Sequence, residues 1–150
     1  LLLEAFRKRI DQEVLDNLIA DSETGDSPKD RLFDILMHRF EAMSNYKAGL
    51  ANIFSDIGPN PCNILYRLST LYNSMALTLE AAGISSSGLE GRLRVHGLIA
   101  IYAYSLNIWF RDESPDLATT MAAVDRGISL ADKIATRLDR SNLCRSTNTN

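Results

Sequence analysis

Cysteine is scarce in this chain of 150 residues, with only 2 present. Cys62 and Cys144 stand far apart and match no metal or disulfide framework, the pattern of a reducing, cytoplasmic compartment. Histidine is equally rare: His38 and His96 exclude a metal site built from several imidazoles within one chain. With 4 prolines and 8 glycines, low-complexity and collagen-like classes are excluded. A basic excess is missing as well. Lys and Arg number 16 against 19 Asp and Glu, a formal net charge of −3, which argues against a nucleic-acid-binding surface on these residues. No basic segment followed by an apolar stretch opens the chain, so no secretory leader is read there. The longest stretch without Asp, Glu, Lys or Arg, between Arg94 and Arg111, falls short of the roughly 20 apolar residues a membrane span needs, and it holds His96, Gly97, Ser105 and Asn107. Glycine-rich phosphate loops, HExxH, CxxC and GxSxG are all absent. No nucleophile and base stand at recognisable spacing, so the sequence predicts no catalytic residue, no metal and no cofactor.

What is present is a 45% hydrophobic chain, enough for one domain with a real core. Apolar residues recur at spacings of three and four in every segment, which predicts an all-α fold of about six helices. The first stripe is Leu3, Phe6, Ile10, Val14 and Leu18. A second helix starts at Ser27-Pro28, a capping residue followed by a proline suited to the first turn. Gly58-Pro59-Asn60-Pro61 stops one helix and restarts another, and Gly83 reads as a left-handed C-cap. Ser114-Pro115 repeats the cap-then-proline start for a last helix reaching about Leu138. Ser141 to Asn150 reads as a disordered tail.

Each chemistry-bearing residue has an ordinary structural reading. His38 reads as a solvated histidine, His96 as a buried, satisfied one, and Asp112-Glu113 as a solvated turn. Two features point to interaction instead. On the helix around Arg94 to Arg111, Gly97, Ile101, Tyr104 and Ile108 share one face, with Val95, Ile99, Tyr102 and Leu106 on the other. A helix apolar on both faces needs a second partner, and a two-fold dimer with the following helix, through Met121, Ala122, Asp125 and Ile128, supplies one as a four-helix bundle. Gly97 would permit close approach. The second feature is an inward set of aromatic and Met side chains, which serves either as plain core or as the wall of an apolar cavity.

Several segments resemble a known family. LLLEAFRKRIDQEVLDNL at the start resembles the helix that follows the helix-turn-helix of TetR-family transcriptional regulators. DRLFDILMHRFEAM (Asp30 to Met43), LYNSMALTLEAAGI (Leu71 to Ile84) and RVHGLIAIYAYSLNIWFRDESPDLATTMAAVDRGI (Arg94 to Ile128) resemble that family's C-terminal ligand-binding and dimerisation domain. The resemblance implies that residues 1–140 form such a domain, with Leu1 to about Asp21 the connecting helix from an N-terminal DNA-reading head that is not in this chain. It implies a cytoplasmic homodimer, a repressor in character, touching DNA only through that head. Its effector would lie among Phe33, Met37, Phe40, Leu68, Tyr72, Met75, Tyr102 and Leu106. Because no Arg or Lys falls on these stripes, the ligand is expected to be small and apolar or aromatic, oriented by Tyr72 or Tyr102. WFRDESPDL (Trp109 to Leu117) also resembles the lipid-binding proteins of ubiquinone biosynthesis, so the alternative is an accessory protein that holds a lipid or isoprenoid and reads no DNA.

Overall fold

The computed structural model describes residues 27–55 and 61–146, with side chains at 27–52 and 69–137. The expected connecting helix, Leu1 to about Asp21, and residues 147–150 of the expected tail lie outside the described residues. Among the described residues every regular element is a helix, so the fold is all-α. The order is α1 (Pro28–Ser44), α2 (Lys47–Ser55), α3 (Pro61–Ala81), α4 (Gly88–Trp109) and α5 (Ala118–Ser146). No described helix is long and apolar enough to cross a membrane.

Local chemistry accounts for most boundaries. Ser27 caps α1, its hydroxyl oxygen accepting from the Asp30 amide at 3.3 Å, and Pro28 follows in the first turn. At the end of α3, Gly83 has φ +80°, a conformation open to glycine at little cost. The Gly83 amide donates to the Glu80 carbonyl and the Ile84 amide to the Leu79 carbonyl, closing a Schellman motif. Arg31 Nε adds a bond from α1 to the Ala82 carbonyl at 3.2 Å.

Two boundaries depart from the sequence reading. The last helix starts at Ala118, not at Ser114-Pro115, because Leu117 takes φ +52° and interrupts the turn. At its other end α5 runs through Ser146, so residues 141–146 are helical rather than tail. Neither Gly nor Pro occurs between Leu138 and Ser146, and Ser and Asn alone are weak helix breakers.

α4 and α5 pack as a hairpin, with α1 and α3 against them. The close crossing is at Gly127, where an added Cβ would stand 2.7 Å from Ile101 Cγ2. The core gathers Leu32, Ile35, Leu36 and Phe40 of α1, Met75 and Leu79 of α3, Val95, Leu98, Tyr102 and Trp109 of α4, and Val124 and Ile128 of α5. Each large side chain fully buried this way contributes about 1.5–3 kcal/mol relative to exposure.

Candidate functional site

The periodicity that buries α1 carries a cation with it. Arg39 lies one turn from Ile35 and Met43 on the buried stripe, and it is itself only 6% exposed. Its Nη1 donates to Ser74 Oγ of α3 at 3.0 Å, and its guanidinium lies 5.8 Å from the Tyr102 ring centre. The expectation that no Arg or Lys shares the interior with the aromatic set is therefore corrected. A charge at a core register position was visible in the spacing 35–39–43.

Tyr102, beside Arg39, is the first of a row of three neighbouring rings. Phe40 and Tyr102 are 5.4 Å apart and nearly parallel, and Phe40 lies 6.1 Å from Trp109. The Tyr102 hydroxyl donates to Met43 Sδ at 3.7 Å. Two further polar groups face this interior from α4. Ser105 and Trp109 are both 0% exposed, and neither Ser105 Oγ nor Trp109 Nε1 has a hydrogen-bond partner. A buried donor left unpaired costs about 1–3 kcal/mol. The two stand on adjacent turns of α4, with the Trp109 ring 6.1 Å from Phe40.

The α4–α5 connection closes one end of the cluster. Asp112 is 5% exposed, and this corrects its reading as a solvated turn residue; Glu113 beside it is exposed. One carboxylate oxygen accepts from the Thr120 amide at 2.8 Å and the Thr120 hydroxyl at 2.7 Å, and the other accepts from Ser114. Burial pushes this carboxyl up, but the bonds from Ser114 and Thr120 outweigh it and hold the group well below the usual carboxylate range. Lys47 Nζ of α2 donates to the Asp112 carbonyl and lies 5.3 Å from the Trp109 ring centre, tying α2 to the same corner.

The expected effector residues come together only in part. Met37, Phe40, Met75 and Tyr102 are buried in one cluster, with Phe33, Tyr72 and Leu106 half-buried against it. The Leu68 side chain lies outside the described residues. The expected seam residues divide between two surfaces. Gly97 and Tyr104 are exposed on α4, and Ile101 and Ile108 are half-buried. Met121, Ala122, Asp125 and Ile128 instead face α1, lining with Lys29, Asp30 and Phe33 an open groove of about 490 Å³. Ile128 belongs to the core of this chain. Exposed beside Gly97 and Tyr104 are Leu89 and Leu93 of α4, and α5 exposes Leu130 and Ile134 on the side of Gly127.

His38 is exposed, its Nδ1–H donating to the Asp34 carbonyl. His96 is exposed too, against the expectation of burial, and bonds the Arg92 carbonyl at 2.7 Å. Among the described residues no group of three His, Cys, Asp or Glu stands together to hold a metal ion. No protein-family profile and no curated protein matches this chain.

Proposed function

We propose that the chain is the dimerising, effector-sensing half of a TetR-like transcriptional regulator, acting on DNA through a separate N-terminal head. One observation carries the reading. The outward stripe of α4 exposes Leu89 (85%), Leu93 (62%) and Tyr104 (57%), while the adjoining side of α5 exposes Leu130 (61%) and Ile134 (51%). Large apolar side chains left in water over two adjacent helices mark an interaction surface. Along α4 the stripe 89–93–97–100–104 has the spacing of a helix-packing seam, and the small Gly97 and Ala100 at its middle permit close approach. A two-fold axis through this face brings two α4–α5 hairpins into a four-helix bundle.

In such a dimer an effector held between α1, α3 and α4 touches the same helix that forms the seam. A ligand that binds two arrangements of α4 with different affinity shifts the population between them, and the seam carries that shift to both heads. The test is sedimentation of the purified chain and of the Leu93→Glu/Leu130→Glu variant. The expected outcome is a dimer for the parent and a folded monomer for the variant, since a charge buried at the seam has no partner. A monomeric parent at micromolar concentration overturns the reading.

A further inference from the structure

The side of α5 turned toward α1 carries an apolar surface of its own. Between the two helices runs the open groove of about 490 Å³, with Phe33 on one wall and Met121, Ala122 and Ile128 on the other. Met121 is 43% exposed in this apolar setting. By helical phase, Ala118, Ala122 and Asp125 lie on the opposite side of α5 from Leu130 and Ile134, so the groove and the proposed seam use different surfaces.

Small-molecule sites bury most of their ligand, which an open groove does not do. It suits the apolar face of a helix laid along it. The chain itself supplies such a face. Residues 1–20 carry Leu3, Phe6, Ile10, Val14 and Leu18 on one stripe, at spacings of three and four. They lead into α1 through its cap, Ser27, and the first turn of α1 contributes Lys29 and Asp30 to the edge of the groove. Lys29 Nζ donates to Ser129 Oγ at 3.0 Å, so the chain traced back from Ser27 meets the Ile128 end first. The lengths agree. At roughly 1.5 Å per residue, the α5 wall from Ala118 to Ile128 is about 15 Å long and Ile10 to Leu18 spans about 12 Å. The stretch from Asp21 to Asp26 reaches up to about 20 Å, at roughly 3.3 Å per residue. A short tether of this kind gives a local concentration in the ~mM range, above that of a free partner. This favours the chain's own segment over a second copy or another protein. We propose that residues 1–20 lie along the α1–α5 groove, with Ile10 toward Ala118, Val14 on Met121 and Ala122, and Leu18 toward Ile128. α5 then holds the N-terminal segment on one side and the seam on the other. The docking does not depend on the dimer reading.

Two measurements on the full chain test it. Hydrogen exchange read by mass spectrometry should show the amides of residues 8–20 slowed about tenfold or more relative to an unstructured chain. Val14→Glu, which keeps helix propensity, and Ala122→Glu, at an exposed position of α5, should each abolish that slowing and leave α4 unchanged. Fast exchange of residues 8–20 in the parent, or slow exchange that survives both substitutions, overturns the proposal. The second measurement identifies the occupant. In a Cys62→Ser/Cys144→Ser background, Ala122→Cys is paired with Val14→Cys or, as a control from the side opposite the stripe, with Gln12→Cys. Oxidation should give a disulfide within one chain for the Val14 pair and none for the control. A disulfide between two chains assigns the groove to a second copy and overturns the proposal, as does equal bonding by both pairs or by neither. Sedimentation separates this inference from the dimer: a monomeric parent that forms the Val14 disulfide within one chain keeps the docking and refutes the seam.

Discussion

Each face of α4 mixes the two kinds of group: heteroatoms join Val95 and Leu98 inside, and large apolar side chains join Arg92, Arg94 and His96 outside. Toward α1 and α3 the helix buries Tyr102, Ser105 and Trp109, a hydroxyl-bearing ring, a hydroxyl and an indole N–H. Away from them it leaves Leu89, Leu93 and Tyr104 in water around Gly97 and Ala100. A helix serving only its own core would place hydrocarbon inside and heteroatoms outside. The difference is that the inner face carries a hydroxyl and an indole N–H without hydrogen-bond partners, whereas the outer face carries large apolar side chains in water.

The largest test of that contrast is on the inner face. Trp109→Ala should destabilise the fold by about 3–5 kcal/mol, because the void it opens is walled by Phe40 and Phe110 and collapses poorly. Urea unfolding followed by circular dichroism measures it. Next comes the corner that holds this face in place. Asp112→Ala removes the acceptor for Thr120 and Ser114, an expected loss of about 2–3 kcal/mol. The folded carboxyl titrates below its unfolded value, so its contribution is complete above about pH 3.9 and is lost as the pH falls further. Unfolding measured from neutral to acid pH should therefore show a steeper decline for the parent than for Asp112→Asn.

Paired glycine substitutions sharpen the contrast. Gly127→Ala places a methyl group 2.7 Å from Ile101 Cγ2 and should cost about 1–2 kcal/mol after the gain in helix propensity. Gly97→Ala meets nothing within 4 Å in the single chain. It should stabilise the monomer by about 0.5–1 kcal/mol and yet weaken self-association, as sedimentation would show. Smallest of all is Leu93→Glu, which should change monomer stability by less than about 0.5 kcal/mol. A loss of several kcal/mol there would mean that the outer face belongs to this chain's own core.

Much of this arrangement was legible in advance. Spacings of three and four gave the all-helical fold, Ser27-Pro28 gave the start of α1, and Gly83 gave the end of α3. The sequence also marked α4 as apolar on both sides, but periodicity has no term for which side a neighbouring helix of the same chain occupies. Projection thus grouped Met121 and Asp125 with Gly97, although α1 lies against the former and solvent against the latter. Arg39 was hidden by its charge, since a cation is assigned to the surface unless its register with Ile35 and Met43 is weighed more heavily than its type. Asp112 was hidden by its place in a loop. The pattern Asp-x-Ser-Pro, a short acceptor beside a turn, was the available signal. The start of α5 was missed for the same reason, because the cap belongs to a residue several positions upstream.

The first described helix has its main support at the far end of the chain: Lys29 Nζ donates to Ser129 Oγ at 3.0 Å, across a separation of 100 residues. Phe33 of α1 likewise shares a groove with Met121 and Ile128. During synthesis at roughly 5–20 residues per second, α1 therefore waits about 5–20 s for the helix that covers it. Through that interval its stripe of Leu32, Leu36 and Phe40, with the cation Arg39 among them, is open to chaperones and to neighbouring chains. Charges interspersed on such a segment discourage its aggregation, and α1 carries Asp30, Arg31, Asp34, Arg39 and Glu41 among its apolar residues.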